Sequence, residues 1–180
     1  LFMLQCRDGF GDENECKPVP PGATAYDIEI PPFFPPMDIP ADNPMTVEGI
    51  DLGRHLFWDV KLSEDNTLAC AGCHFPENAF SDPAQFSIGT QGIAGNRQAM
   101  PLFNIGWAQD FFWDGRAHTL EEQILQPVTN PIEMNVSWDE VIVKLEEDNF
   151  YPDKFLSAFG SSTITKEKAA KAIAQFIRTM

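Results

Sequence analysis

Basic side chains are scarce in this sequence of 180 residues, which has 12 lysines and arginines against 27 aspartates and glutamates. The formal net charge at pH 7 is therefore −15. A protein that binds nucleic acid uses lysine and arginine to neutralise phosphates, so this charge argues against nucleic acid as a partner. The same charge favours a basic partner such as a small basic protein, although solubility alone explains it equally well.

Long apolar runs and alternating strands are also missing from the sequence. No window approaches the roughly 18 to 20 apolar residues that a membrane-spanning helix needs. No segment shows a convincing alternation of apolar and polar residues at the period of a β-strand. Apolar residues nevertheless make up 43% of the chain, which is ordinary for a globular domain with a hydrophobic core. The sequence therefore predicts a mainly α domain.

Cysteine and histidine are few, with four and three residues, yet one short stretch combines them. Cys70-Ala71-Gly72-Cys73-His74 places two thiols three positions apart with a histidine directly after the second, which is the attachment pattern of a c-type haem. Each thiol adds to one vinyl group of the porphyrin, and the following imidazole can ligate the iron. A redox dithiol would need a βαβ pattern, and zinc would need about four ligands at matching spacing. Neither is present, so we expect one covalent haem c with His74 as the metal ligand.

A covalent haem c indicates assembly outside the cytoplasm, so we expect an exported protein that is periplasmic or elsewhere outside the cytoplasm. The start of the chain, with four apolar residues at 1–4, is interpreted as the remnant of a signal segment, which makes Cys6 a candidate for a lipidated N-terminus, although Gln5 fits a lipoprotein signal poorly. The competing interpretation is a disulfide between Cys6 and Cys16 that closes a short loop in an oxidising compartment. The sequence leaves both interpretations open.

Composition divides the chain at about residue 45. Residues 1–45 are rich in proline and acidic side chains, which predicts an extended N-terminal arm on the domain surface or else a disordered linker. Phe33 and Phe34 are candidate anchors of this arm. Residues 46–180 carry the haem motif and form the predicted haem domain.

Five helices are predicted in the haem domain from capping residues and apolar periodicity. They are Val47–Trp58 after Thr46, helices after the capping boxes at 119–122 and 137–140, a short helix at 151–159 and a last helix after Thr165. Residues 75–104 form a long loop rich in glycine and proline, and such a loop can wrap a large flat cofactor. Gly53 allows close approach of another backbone or of the haem. The predicted fold is a cytochrome c-like helical domain wrapped by long loops around one covalent haem.

Several further segments follow one another in a specific order. They are Leu52-Gly53-Arg54-His55-Leu56-Phe57, Leu62-Ser63, the haem motif, Phe80-Ser81-Asp82, Ser87-Ile88-Gly89, Asn104, Phe112-Trp113-Asp114-Gly115-Arg116, Leu120-Glu121-Glu122-Gln123 and Pro131-Ile132-Glu133-Met134. In this order they resemble the N-terminal domain of the bacterial di-haem cytochrome c peroxidases, to which the tryptophan-modifying di-haem proteins are related. The resemblance covers residues 46–180.

The resemblance implies that hydrogen peroxide is reduced at this haem with electrons from a small cytochrome or similar donor. It also implies that Gln123 and Glu133 form a distal pair and that Trp113 relays electrons between two haems. The chemistry of the pair is reasonable, because cleavage of an O–O bond requires moving a proton from one oxygen to the other, which a carboxylate can do. An amide can hold the peroxide by hydrogen bonding. From the residues alone, a buried amide, a surface charge and a core aromatic remain the simpler interpretations.

Other positions are expected to shape the surroundings of the iron. Arg116 is expected to pair with Asp114 or with a haem propionate. In many members of the family a histidine follows the Ser-Ile-Gly segment and caps the iron, whereas Thr90 stands here, so we expect an open or water-bound sixth position. Gln98 stands where the family often has an asparagine beside a calcium ion, which leaves calcium uncertain. Met134 is expected to pack rather than to ligate the iron.

The haem motif occurs once, where the enzymes it resembles have two. We therefore expect a second haem domain or a partner subunit to complete the protein, and the last helix, which stops within its apolar stripe, suggests a cut at a domain boundary. The first hypothesis is a domain that reduces hydrogen peroxide. The alternative is a single-haem electron-transfer subunit of a larger complex without peroxidase activity, which would need both axial positions filled. A protein-modifying oxidase of the same superfamily is a third hypothesis.

Overall fold

The computed structural model describes residues 19–180, a range that excludes Cys6 and Cys16 and therefore both interpretations of their role. Its five α-helices are α1 (Val47–Trp58), α2 (Leu120–Thr129), α3 (Trp138–Glu146), α4 (Phe150–Phe159) and α5 (Lys166–Ile177). Short 3₁₀ turns occur at Val60–Leu62, Cys70–Gly72, Pro76–Asn78 and Ile105–Trp107. Within residues 19–180 there are isolated β-bridges but no strand, and no helix is long and apolar enough to cross a bilayer. The prediction of a mainly α fold is confirmed.

Side-chain caps start four of the helices at the predicted residues. These caps are Thr46, Thr119, Ser137 and Thr165. Ser137 and Glu140 form the complete predicted capping box. At α2 only half of the predicted box forms, because the Glu122 carboxylate accepts a hydrogen bond from the backbone N–H of His118 at 3.0 Å instead of from that of Thr119. The glutamate therefore caps the backbone N–H of His118, the residue before the N-cap.

Helices α1 and α5 pack against each other in the centre of the core. The predicted close approach at Gly53 is confirmed, because a Cβ atom added there would overlap the carbonyl oxygen of Ala172 on α5. Leu52, Leu56 and Phe57 are fully buried on the facing side of α1. The predicted apolar stripe of α5 is also buried at Ala169, Ile173, Phe176 and Ile177, whereas Met180 is half-buried. The closely packed helices α1 and α5 therefore form the centre of the helical core.

Residues 19–45 form an arm that lies on the domain surface. The ring of Phe34 meets that of Trp107 edge-on, with centroids 5.1 Å apart, and the Trp107 indole N–H donates to the carbonyl oxygen of Pro35 at 2.8 Å. Phe33 is fully exposed and has a φ of 73°, so the prediction that it anchors the arm is wrong. The turn that brings Phe34 onto the domain directs Phe33 into solvent.

A buried polar network joins the arm to α1, α2 and α5. Gln175 of α5 accepts a hydrogen bond from the backbone N–H of Thr46 and donates one to Asn43, both at 2.9 Å. Asn43 in turn donates to the Glu121 carboxylate of α2 at 2.6 Å, and Arg178 binds the same carboxylate through two hydrogen bonds. Buried polar groups destabilise a fold when they are unpaired, and these are paired. The network therefore fixes α2 relative to the core.

Candidate functional site

A cavity of about 530 Å³ lies between α2, the haem motif and the loops that connect α1 to α2. Cofactor and ligand pockets commonly measure about 300–1,000 Å³, so the cavity is of suitable size. Much of its lining is apolar, with contributions from Phe57, Leu68, Leu102, Phe111, Ile124 and Ile173. The predicted residues Cys70, Cys73, His74, Trp113, Arg116, Gln123 and Glu133 all border it. The structure therefore brings every residue of the sequence-predicted site to one cavity.

The two cysteines of the haem motif lie at the start and just past the end of the 3₁₀ turn Cys70–Gly72. The backbone N–H of Cys73 donates to the carbonyl oxygen of Cys70 at 3.1 Å, which closes the turn. Both cysteines are free. Burial raises the pKa of the Cys70 thiol to about 12 and also raises that of Cys73, so both are neutral thiols.

His74 is oriented by a hydrogen bond to the backbone of the loop that follows it. Its Nδ1 lies 2.7 Å from the carbonyl oxygen of Phe80. A carbonyl oxygen can only accept, so Nδ1 carries the proton and Nε2 keeps its lone pair. Burial lowers the pKa of His74, which favours the neutral imidazole that binds iron. Metal-binding histidines are commonly oriented in this way, and two thiols with a neutral imidazole at an apolar cavity fit a covalent haem c.

The other two histidines of the chain lie elsewhere. Nδ1 of His55 lies 2.8 Å from the carbonyl oxygen of Asp51 on α1. His118 is largely exposed and pairs with Asp110, with Nδ1 and Oδ1 2.9 Å apart. Neither borders the cavity, so His74 is the one histidine of the three that does.

Gln123 and Glu133 reach the cavity from α2 and from the loop after it. The Gln123 side chain has no hydrogen-bond partner among residues 19–180, so its amide can donate to and accept from a ligand. Glu133 is half-buried, so the interpretation of Glu133 as a surface charge is wrong. An amide and a carboxyl group thus border the cavity that His74 also lines.

The protonation of Glu133 is set by burial and by two neighbours. Burial raises its pKa, while a hydrogen bond from Asn130 and the positive charge of Arg116 oppose the rise without cancelling it. The Asn130 Nδ2 donates to Oε1 of Glu133 at 2.8 Å. Glu133 therefore takes up a proton more readily than an exposed glutamate, as a group that receives and returns protons requires.

Arg116 pairs with Asp114, which is one of its two predicted partners. Nη1 of Arg116 lies 2.9 Å from Oδ1 of Asp114, and the other carboxylate oxygen binds Arg97 at 2.7 Å. Nε donates to the side-chain oxygen of Gln126 at 3.1 Å, and the guanidinium stacks 3.4 Å from the ring centroid of Phe112. These partly exposed contacts add little stability, but they hold the guanidinium at the rim of the cavity.

Trp113 borders the cavity and is also 59% exposed. Its indole N–H donates to the carbonyl oxygen of Gln98 at 2.9 Å. The interpretation of Trp113 as a core aromatic is wrong, because the neighbouring Phe111 takes the core position. Trp113 therefore connects the cavity to the surface.

Gln98 and Met134 make structural contacts. Nε2 of Gln98 donates to the backbone carbonyl of Asp82 at 3.1 Å, which joins two loops beside the cavity. Met134 is 4% exposed and belongs to the hydrophobic core, so the prediction that it packs is confirmed. Because Met134 also borders the cavity, the expectation that it does not ligate the iron stays a prediction.

Sequence reasoning missed the role of three residues that hold the site. The carbonyl oxygen of Phe80 accepts a hydrogen bond from His74. The side chain of Asn130 donates a hydrogen bond to Glu133. The backbone N–H of Thr90 donates to the carbonyl oxygen of Glu133 at 2.9 Å. Phe80 acts through its carbonyl group and Thr90 chiefly through its N–H, so side-chain patterns cannot reveal them. Asn130 had a signal, because an Asn-Pro pair marks a turn and Pro131 follows it.

Comparisons with known proteins agree on one family. A sequence model described as di-haem cytochrome c peroxidase matches residues 47–180. The methylamine utilization protein MauG of Methylophilus methylotrophus is 36% identical over 162 residues, which cover 87% of this chain and 48% of the relative. Cytochrome c peroxidase Ccp of Escherichia coli strain K12 is 39% identical over 147 residues, which cover 81% and 31% of the two chains.

A solved structure gives the same result for the fold. A MauG-like protein associated with microbial copper homeostasis superposes with a TM-score of 0.81 at 36% identity. The match covers 86% of this chain and 47% of the other. The chain therefore spans about half, or less, of the length of these relatives.

Proposed function

The chain belongs to the di-haem cytochrome c peroxidase family, and we propose that it reduces hydrogen peroxide to water at a covalent haem c. Relatives named cytochrome c peroxidase make the family one of oxidoreductases. For this chain the proposal is supported by the cavity that gathers the haem motif, an amide and a half-buried carboxyl group.

Haem c would be held by the residues of the motif and by the apolar lining. Cys70 and Cys73 would each add a thiol across a vinyl double bond, and His74 would offer Nε2 to the iron. The guanidinium of Arg116 at the rim would pair with a propionate. When bound, the haem supplies the iron through which electrons reach the peroxide.

Glu133 and Gln123 would handle peroxide and its protons. Reduction of hydrogen peroxide to two molecules of water consumes two electrons and two protons. Glu133 would take a proton from one peroxide oxygen and return it to the other, which leaves as water. Its raised pKa suits both transfers, because the carboxyl group must accept a proton and hold it briefly. The Gln123 amide would orient the peroxide by hydrogen bonding.

Electrons would enter through the exposed side of the cavity. Trp113 is proposed as the relay, because it connects the cavity to the surface where a second haem domain or a partner subunit can dock. These electrons would come from a small electron-carrier protein, and the net charge of −15 on this chain favours a basic carrier. We propose a location in the periplasm or elsewhere outside the cytoplasm, with Cys6 as a candidate lipid anchor.

The observation that carries this proposal is the half-buried carboxyl group of Glu133 at the cavity that His74 lines. The test mixes the haem-loaded chain with hydrogen peroxide and an excess of a chemical electron donor such as ascorbate, and measures peroxide consumption in wild type, in Glu133→Gln and in Glu146→Gln. Glu146 is an exposed residue of α3 away from the cavity, so its variant is the matched control.

We expect Glu133→Gln to slow consumption by about 10²-fold or more, which is the contribution of a positioned acid–base group, and Glu146→Gln to match wild type. Equal rates in all three proteins would contradict the proposal. A wild-type haem that is inert toward peroxide would favour the electron-transfer alternative.

A further inference from the structure

We propose that Asn130 is a positioning residue of this site: its amide binds one oxygen of the Glu133 carboxyl group and leaves the other oxygen to exchange the proton. The inference rests on the proposed function, because it concerns the proton transfer assigned to Glu133. Asn130 directly follows α2, is half-buried and borders the cavity.

The orientation of the Asn130 amide is dictated by the backbone. The N–H of Ile132 donates to Oδ1 of Asn130 at 3.2 Å, an arrangement typical of an asparagine that starts a turn before proline. An N–H group can only donate, so Oδ1 must be the atom that faces it. Nδ2 is then left to face Glu133, where it donates to Oε1 at 2.8 Å.

The backbone of Glu133 is held independently of its side chain. The N–H and the hydroxyl of Thr90 both donate to the Glu133 carbonyl oxygen, at 2.9 and 3.3 Å. Gly89 packs so closely against this segment that an added Cβ would overlap the carbonyl oxygen of Ile132. With the main chain fixed in this way, the hydrogen bond from Asn130 selects the rotation of the carboxyl group.

This arrangement makes the two oxygens of Glu133 unequal. Oε1 is occupied by the amide, whereas Oε2 makes no hydrogen bond within residues 19–180 and remains free for a molecule in the cavity. Arg116, which is itself paired with Asp114, is the charged group that acts on Glu133. Glu133 and Asp82 in turn act on the thiol of Cys73, which would be an uncharged thioether in the haem-loaded chain. Asn130 is the neutral group that donates directly to the carboxylate.

A donor to the carboxylate stabilises its charged form, so Asn130 opposes the effect of burial on Glu133. Replacing the donor by an acceptor should make Glu133 hold its proton to higher pH. Asn130→Asp performs this replacement without changing the size of the side chain, and its Oδ1 can still accept from Ile132. Asn130→Ser keeps an acceptor for Ile132 but is too short to reach Glu133, so it removes the donor without adding charge.

The probe is cyanide, which requires no turnover. Hydrogen cyanide must give up its proton to bind ferric haem as cyanide, and Glu133 would receive that proton. The apparent cyanide affinity of the haem-loaded chain would therefore depend on whether Glu133 is protonated. The measurement is cyanide affinity against pH, followed by the haem absorption, for wild type and variants.

We expect Asn130→Asp to move the Glu133-dependent step of this profile to higher pH by about one pH unit or more, because a neighbouring like charge raises the pKa of a carboxyl group. Asn130→Ser should move it in the same direction by a smaller amount. Asn135→Asp is the matched control, since Asn135 lies in the same loop and donates to the exposed Glu64 at 2.7 Å, away from the cavity. This control should leave the step in place.

Two outcomes separate the inference from the proposed function. If Glu133→Gln removes the step but neither Asn130 variant moves it, the role of Asn130 is overturned while that of Glu133 stands. If Glu133→Gln leaves the wild-type profile unchanged, the role of Glu133 fails, and the inference fails with it. A shift by Asn130→Asp that persists in the Glu133→Gln background would also overturn the inference, because Asn130 would then act through another group.

Discussion

Arg178 binds the carboxylate of Glu121 through two hydrogen bonds of 2.8 and 3.1 Å, with only 5% of the arginine side chain exposed. The pair joins the residue after α5 to the first turn of α2, and Gln123 lies two residues further along the same helix. Burial alone would raise the pKa of Glu121, but the guanidinium and the hydrogen bond from Asn43 together outweigh it and hold that pKa below its usual range. The position of one wall of the cavity therefore depends on this ion pair.

Removal of the arginine should destabilise the fold in a pH-dependent way. We expect Arg178→Met to lower the free energy of unfolding at pH 7 by about 3 kcal/mol, because a buried carboxylate loses its partner. A carboxyl group with a lowered pKa in the folded state stabilises above its unfolded pKa, and that stabilisation is lost as the pH falls through the folded value. The difference between variant and wild type, measured by urea unfolding, should therefore shrink below about pH 4. Lys166→Met is the control, since Lys166 and Glu167 form an exposed pair 4.0 Å apart.

The contact between α1 and α5 should tolerate no side chain at Gly53. Alanine favours a helix over glycine by about 1 kcal/mol, so Gly53→Ala would stabilise an isolated helix. In the protein the added Cβ would overlap the backbone of Ala172, and we expect a loss of about 2 kcal/mol or more in the free energy of unfolding. Gly95→Ala, where the added Cβ would make ordinary contacts of 3.5 and 3.7 Å, should change it by less than about 0.5 kcal/mol. Equal effects at the two glycines would contradict this packing.

Glu133 should reduce the stability of the fold at neutral pH. Its pKa is raised by burial, so the folded state is favoured below the unfolded pKa and is weakened as the pH rises through the folded value. We therefore expect Glu133→Gln to be more stable than wild type at pH 7 and equally stable below about pH 4, where both side chains are neutral. Thermal unfolding at both pH values checks this. If Glu133→Gln were more stable than wild type by the same amount at both pH values, the cause would be something other than the charge of Glu133.

Two tryptophans should differ in their contribution to stability. Trp138 is 7% exposed and donates to the carbonyl oxygen of Leu125, so Trp138→Ala should cost about 3–5 kcal/mol. Trp113→Ala should cost less than about 1.5 kcal/mol, because Trp113 is 59% exposed. Chemical unfolding of both variants measures the difference, and a large loss at Trp113 would contradict its surface position.

The helices were largely predictable because their signals are local. Threonine or serine caps mark the starts of α1, α2, α3 and α5, and the left-handed Gly160 marks the end of α4. The two errors have different causes: the choice between two neighbouring backbone donors decided the first, and a contact distant in sequence decided the second. Glu122 caps His118 instead of Thr119, and Phe33 turns into solvent while Phe34 finds Trp107.

The candidate site was predictable only in part. The haem motif follows from its own chemistry, whereas Gln123, Glu133 and Trp113 were selected by resemblance to a family, because nothing local distinguishes them from ordinary residues. The positions of Asn130 and Thr90 depend on how the loop after α2 meets residues 89 and 90, more than 40 residues earlier in the chain. Similarly, Asn43 and Gln175 meet across 132 residues of sequence. Such pairings depend on the tertiary structure.

The absorption spectrum of the ferric, haem-loaded chain at neutral pH, recorded before and after addition of hydrogen peroxide, shows whether the iron has an open position that reacts with peroxide. Because His55 and His118 both lie away from the cavity, we expect a high-spin spectrum that changes rapidly with peroxide and is unaffected by His118→Ala. A pure low-spin spectrum with two histidine ligands that does not respond to peroxide would contradict an open iron position at this site.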